Sequence, residues 1–386
     1  MPHWGRRPAG PSPPEVRLRI AVIGGSAGGL TAALLLARAG HAVTVLEVDH
    51  LEPAADVETA AAAGFRAAAP QIVQPHVLLT TFQEILRERL PDVDAGLRDA
   101  GAVEATLQSQ MPPTLADRSP APGDERLVLP DCPRRPRPGW SPGSTSSPSA
   151  SGGGDNATMQ LVVAPLAADR RFAPARREAV FTAVLRTIPL YASWLDVMDP
   201  ITDVVVMGGL HNTLRRLVVD GRPVVLGLHA VGDAVCTTNP TFGRGLSMTL
   251  HGAADLVDVL AAHPDDLAAQ VLAMDRAVSE HVAPWFADQA VSDAARLAML
   301  RHTVLGAPSP PAPDPARVTF GQIRQAGQVD PVAFRAVWRL MGMIGRPSDA
   351  YDDPDLAARV RAALAAGAPP AVRQPTRAQL EAALAA

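Results

Sequence analysis

A glycine-rich run, Gly24-Gly25-Ser26-Ala27-Gly28-Gly29, stands directly after the apolar stretch Arg19-Ile20-Ala21-Val22-Ile23 and opens a helical pattern that reaches Ala39. Glycine at 24 permits a tight turn, a small residue at 26 lets backbone approach an anion, and Gly29 lets helix and strand pack closely. Ser26 stands where the usual pattern has its second glycine. The N-terminus of the following helix offers unpaired N–H groups and a positive dipole, a combination suited to a pyrophosphate. Glu47 closes the next apolar run, His41 to Glu47, 18 positions after Gly29. A carboxylate there can accept both hydroxyls of an adenosine ribose. The glycines alone carry little weight. With both flanking strands and the terminal Glu they make a β-α-β unit of about 30 residues and point to nucleotide binding.

A second constellation lies past the middle of the chain. Val231-Gly232-Asp233-Ala234 ends an apolar run, and Asn239-Pro240-Thr241-Phe242-Gly243-Arg244-Gly245-Leu246-Ser247 leads into a helical pattern. An aspartate at a strand end can hold a polyol hydroxyl. A Pro-x-x-Gly-x-Gly turn brings backbone N–H groups and a helix dipole against a ring that gathers negative charge, a need that a reduced flavin has at its N1–C2 edge.

Taken together, these residues resemble the FAD-dependent monooxygenases and oxidoreductases of the p-hydroxybenzoate hydroxylase-like group, which includes aromatic hydroxylases and squalene epoxidase-like enzymes. The Gly-Gly-Ser-Ala-Gly-Gly-Leu form at 24–30 is similar to that group's FAD fingerprint, and Gly232-Asp233 to its second motif. The resemblance covers about Arg19–Ile85 and Ile201–Leu260. It implies adenosine contacts from Gly24, Ser26, Gly29 and Glu47, with Gly25, Ala27 and Gly28 in the same turn. It implies ribityl and isoalloxazine contacts from Asp233, Pro240, Gly243 and Gly245. Arg66 is expected as a further cofactor contact; at His76 a packed helix-start histidine is favoured over a residue facing the substrate, and His211 and His229 read as structural. The implied activity is that of an NAD(P)H-dependent monooxygenase hydroxylating or epoxidising a small organic substrate through a flavin hydroperoxide. Two alternatives stay open: a geranylgeranyl reductase-like flavin reductase, and an FAD-binding protein with impaired catalysis. Because the cofactor carries the chemistry, no catalytic residue is assigned. The group's mid-chain Asp-Gly signature and substrate sheet have no counterpart here, since Asp220-Gly221 reads as a hairpin turn.

The elements that must position these residues are set within 386 residues, 47% of them hydrophobic and 19% charged, enough apolar material for a sizeable core. A net charge of −4 argues against a nucleic-acid-binding surface. The chain has no lysine, which excludes Schiff-base chemistry and a P-loop lysine and disfavours the flavin halogenases, whose pattern relies on one. Its two cysteines, Cys132 and Cys236, lie far apart, so no disulfide framework and no metal-ligand set is read. No apolar window reaches the length of a membrane span and the N-terminus lacks a signal-peptide core, so a cytoplasmic location is expected.

The expected fold class is α/β: a Rossmann-like FAD-binding domain with a reduced substrate region and a helical C-terminal extension. The expected organisation is a disordered leader (1–18), the first part of the FAD domain (19–109) and an irregular insert (110–155). A remnant of a substrate domain (156–203), the second FAD part (204–262) and a helical region (263–386) follow. Helices are expected near 76–90, up to Ala100 after an interruption at Pro91-Asp92, over 175–187 and over Leu246–Leu260. Strands are expected at 156–164, 204–207, 217–219 and 224–231. Trp285, Phe286, Phe334 and Trp338 fall at helical spacings that indicate core.

Overall fold

The structure, a computed structural model, describes residues 17–50, 66, 69, 76, 78–99, 102–131, 150–151, 160–166, 168–200, 202–206, 211–311, 314, 317–369 and 375–386. Most of the expected leader, Cys132 and much of the proline- and serine-rich insert lie outside the described residues. The chain is a mixed α/β protein that divides into two compact units. No described helix is long and apolar enough to cross a membrane.

The first unit takes residues 1–100, 213–237 and 243–284. Strand β1 (Arg19–Ile23) pairs in parallel with β2 (Ala42–Leu46), Arg19 opposite Ala42 and Ile23 opposite Leu46. The ladder extends at both ends through Ala42 N–H to Leu18 O and Gly24 N–H to Leu46 O, each 2.8 Å. Helix α1 (Ala27–Arg38) is the crossover, and Gly40, at φ +93°, stops it as the sequence predicts. Helices α2 (Thr80–Arg89) and α3 (Pro91–Asp99) follow. The break expected at Pro91 is there, and Pro91 opens α3, since a proline's missing N–H costs nothing in a first turn. After the return of the chain, α4 (Gly245–Ala262), α5 (Leu267–Ala277) and a π-helical turn (Val278–Val282) lead into α6 (Ala283–Leu305).

The core of this unit is α1 against α4. Leu36, fully buried, packs with Leu256, Val259, Leu260 and Met274, and Ile20, Val22 and Val43 of the strands close over them. Burying a leucine of this kind contributes about 2 kcal/mol. Asp220 and Gly221, at φ 49° and 73°, form the expected hairpin turn between Val218–Val219 and Arg222–Pro223.

Among the described residues the parallel sheet has only two strands. The apolar run 224–231 is not a strand, and Val224 and Leu226 are 63% and 55% exposed. A run that is largely apolar fits a strand buried on both faces, but such a strand also needs a ladder neighbour, and none pairs with it among the described residues. Residues 204–206 likewise form no strand.

The second unit takes residues 101–212, 238–242 and 285–386. Within the stretch expected to be irregular, Val128–Asp131 pairs antiparallel with Val103–Thr106. Leu115 and Leu127 are buried with Leu107, Met111, Phe334 and Trp338. Asp124 is buried and receives the Arg335 guanidinium at 2.7 and 2.8 Å. The prolines around 112–122 conceal these anchors, so 110–131 belongs to the packed unit and not to the insert. Of the strand expected at 156–164, residues 156–159 lie outside the described residues, Gln160–Leu161 pairs with Ala150–Ser151, and 162–164 form no strand. The helix expected over 175–187 spans Glu178–Arg186. Trp285, Phe334 and Trp338 are buried, as their spacing predicts.

Candidate functional site

The turn between β1 and α1 is dictated by its glycines. Gly24 has φ +105°, a conformation that side-chain-bearing residues rarely adopt. A Cβ on Gly29 would lie 1.8 Å from Gly24 O, so the helix can sit this close to the strand only with glycine there. Ser26 is the N-cap of α1, yet its side chain makes no capping bond, and both Ser26 and Ala27 are exposed. The first turn of α1 is thus open to an anion, the favoured partner of such an end.

Glu47 lies one residue beyond β2 and curls back over the turn. One carboxylate oxygen accepts from the N–H groups of Val48 (2.8 Å) and Asp49 (2.9 Å). The other accepts from Gly25 N–H and from the Arg66 guanidinium, the latter at 2.7 Å. The backbone donors of Asp49 and Gly25, helped by Arg66 and Val48, pull the Glu47 pKa down to about 2. Arg66 also bonds Asp49 and Gly25 O, each at 3.1 Å, so Gly25, Glu47, Asp49 and Arg66 form one charged cluster at the end of the strands. All four acceptor positions of Glu47 are in use in the free protein. A ribose would therefore have to take the place of Arg66.

Gly232 and Asp233 sit in a short 3-10 turn, Gly232 at φ +59°. The Asp233 carboxyl keeps a path to solvent while protein crowds it. That burial raises its pKa, and the charges of Arg215 and His76 oppose the rise. Arg215 bonds the Asp233 carbonyl at 3.0 Å.

The two turns meet on one side chain. A Cβ on Gly28 would come within 2.8 Å of Thr249 Cγ2, and a Cβ on Gly232 within 3.1 Å of Thr249 Oγ1 and 3.4 Å of the same methyl. Segments about 200 residues apart in sequence are therefore side by side over the N-terminal half of α4. No protein-family model matches the chain, and no curated protein matches it either. The site stands on its geometry.

Gly243, at φ +65°, leads into α4, and a Cβ on Gly245 would meet nothing within 4 Å. Of the expected site residues, Gly24, Gly25, Ser26, Ala27, Gly28, Gly29, Glu47, Arg66, Asp233, Gly243 and Gly245 all fall in the first unit. Pro240 does not: it opens a short 3-10 turn of the second unit, beside Asn239, whose side chain accepts from Gln289 at 2.8 Å. His211 is exposed, and His229 bonds Gln270 at 3.3 Å. Cys236 is buried and its thiol pKa is pushed up to about 11, first by burial and then by Asp233, so it is an inert small hydrophobe.

Sequence reasoning missed Thr249, Arg215 and Asp49. Nothing in their local pattern marks them, because each acts by a tertiary position. It also missed a group of possible metal ligands, His251, Asp255 and His281. Only the spacing of the first two, four apart on a helix, could have signalled it.

Proposed function

We propose that the first unit binds FAD and that the protein is an FAD-dependent oxidoreductase, an NAD(P)H-dependent monooxygenase acting on a small organic substrate. The observation that carries this reading is the meeting of the Gly28 and Gly232 turns on Thr249. One turn is shaped for a pyrophosphate and the other ends on a carboxylate suited to a polyol, and a single extended dinucleotide needs both.

The fit to the cofactor is good at the turn, where glycines leave backbone and an open helix end, and at Asp233, whose carboxyl reaches solvent. It is conditional at the ribose end, where Arg66 occupies Glu47. In this reading the N–H groups of the α1 first turn hold the pyrophosphate. Glu47 exchanges Arg66 for ribose hydroxyls, and Asp233 accepts from the ribityl chain. Gly243 and the N-terminus of α4 turn backbone donors and a positive dipole toward the ring. Bound FAD supplies two-electron redox chemistry and the activation of dioxygen, with NAD(P)H as donor.

A second reading is favoured by one observation. Among the described residues, a two-stranded parallel sheet and an exposed apolar run at 224–228 would suit a nucleotide fold short of its full scaffold. On this reading the protein binds FAD but turns over poorly.

The test is the absorption spectrum of the purified full chain, with and without added FAD, followed by NADPH. Flavin bands that bleach with NADPH and return in air support the oxidoreductase. Flavin bands without NADPH turnover support the second reading. A colourless protein that takes up no FAD on titration overturns both. Product labelling under heavy dioxygen separates oxygen transfer from a saturated, reductase-type product.

A further inference from the structure

Three side chains outside the nucleotide-type turn converge where α4 meets the π-helical turn. His251 and Asp255 are four residues apart on α4 and share one face. His281 comes from the π-helical turn Val278–Val282, an irregularity that recurs at functional sites. Its Nδ1 lies 2.8 Å from Asp255 Oδ2, and its ring stacks on His251 with centroids 4.9 Å apart and planes 27° apart. One ligand atom from each of the three lies within 4.8 Å of the others, and this is the one such group among the described residues. All three side chains are half-buried, so an ion has access and still escapes full hydration.

We propose that His251, Asp255 and His281 form a binding site for one divalent transition-metal ion of the zinc class. Tetrahedral zinc, with bonds of about 2.0–2.1 Å, sets its ligands roughly 3.4 Å apart. The three ligand atoms, within 4.8 Å of one another, already stand near that spacing. Two imidazoles and one carboxylate suit zinc, cobalt or nickel, whereas calcium and magnesium favour all-oxygen sets. With three protein ligands, a fourth position is left for water.

The arrangement also makes poor sense as a hydrogen-bonded pair alone. His281 and Asp255 satisfy each other, but the His251 ring stacks on His281 and has no hydrogen bond among the described residues. Burial, with His281 adding to it, pushes the His251 pKa down to about 4, so at neutral pH the imidazole is neutral. A neutral imidazole has a lone pair on one ring nitrogen. A metal ion gives that lone pair a partner and replaces the proton between His281 and Asp255. The site is independent of the flavin reading, because none of its ligands belongs to the glycine turns, Glu47 or Asp233.

The test uses the full chain stripped with a chelator and titrated with Co²⁺, read by its visible d–d absorption, then with Zn²⁺ in competition. The expected result is one Co²⁺ per chain, displaced by one Zn²⁺. His281→Gln and Asp255→Asn each weaken binding more than about 100-fold, since changes even to the partners of metal ligands cost about 10–100-fold. His302→Gln, at a histidine that bonds Ala307 O instead, binds as the parent does. Circular dichroism checks that each variant is folded. If His281→Gln is not, His251→Gln carries the same test. A parent that takes up neither ion at micromolar concentrations overturns the proposal, as does a folded ligand variant that binds as tightly as the parent.

Discussion

Glu47 and Asp233 are both carboxylates at the ends of apolar runs in the same unit, and the protein treats them in opposite ways. Glu47 accepts three backbone N–H groups and a guanidinium, so its charge is neutralised by donors that belong to the fold. Among the described residues Asp233 has no such shell, and crowding by protein disfavours its charge. The first carboxylate is thus part of what holds the turn together, and the second is open to solvent. Their glycines differ in the same sense. Gly29 is locked between helix and strand by backbone, whereas Gly232 abuts only the movable side chain of Thr249.

That difference gives the largest expected effect. Gly29→Ala drives a methyl onto Gly24 O, backbone that cannot swing aside, and costs at least about 3 kcal/mol, the upper end of overpacking costs. Gly232→Ala adopts a left-handed conformation and nudges Thr249, for about 1–2 kcal/mol. Urea unfolding of the two variants checks the order. Equal losses, or a Gly29→Ala protein as stable as the parent, would break the distinction between a glycine set by backbone and one set by a side chain.

The carboxylates come next, and here the pH dependence has opposite signs. The folded pKa of Glu47, about 2, lies below its unfolded value of about 4.3, so its stabilisation is complete above about pH 4.3 and is lost as pH falls toward 2. Glu47→Gln lowers the stability of the free protein at pH 7 and flattens its acid limb. The folded pKa of Asp233 is raised instead, so its ionisation weakens folding as pH rises through the acid range. Asp233→Asn leaves the free protein at pH 7 as stable as the parent or more so, while FAD binding weakens about tenfold, the loss of one charge-assisted hydrogen bond of about 1.4 kcal/mol. Thermal unfolding at pH 3, 5 and 7 with FAD titration separates the two. A destabilised Asp233→Asn protein would make that residue as structural as Glu47.

How much of this was legible in the sequence follows from how local each cause is. The β-α-β unit was readable to the residue at β1, because its period, its glycines and its helix stop at Gly40 all act within a few positions. The cradle of Glu47 was half readable. The carboxylate at the strand end was marked by spacing, but its capture by Arg66, 19 positions further on, has no local signature. Leu115 and Leu127 were hidden among prolines, and the meeting on Thr249 is purely tertiary. Arg66 supplies the next test. Arg66→Ala leaves Glu47 its three backbone donors and frees one acceptor position, so ADP binds a few-fold more tightly by calorimetry. A weaker ADP would make Arg66 a direct cofactor contact.

The smallest effect belongs to the place where apolar pattern and structure part company. Leu36 and Leu226 are both leucines in strongly apolar runs, yet Leu36 is fully buried and Leu226 is 55% exposed. Leu36→Ala therefore costs about 2–5 kcal/mol, the range for a core leucine. Leu226→Gln stays within about 0.5 kcal/mol, as exposed substitutions do, and improves solubility by thinning the apolar run that it shares with Val224, Val225 and Leu228. Chemical unfolding of both variants reads the contrast. A loss above about 2 kcal/mol for Leu226→Gln would mean that the run from 224 to 231 is covered after all, and would restore the third strand that its composition predicts.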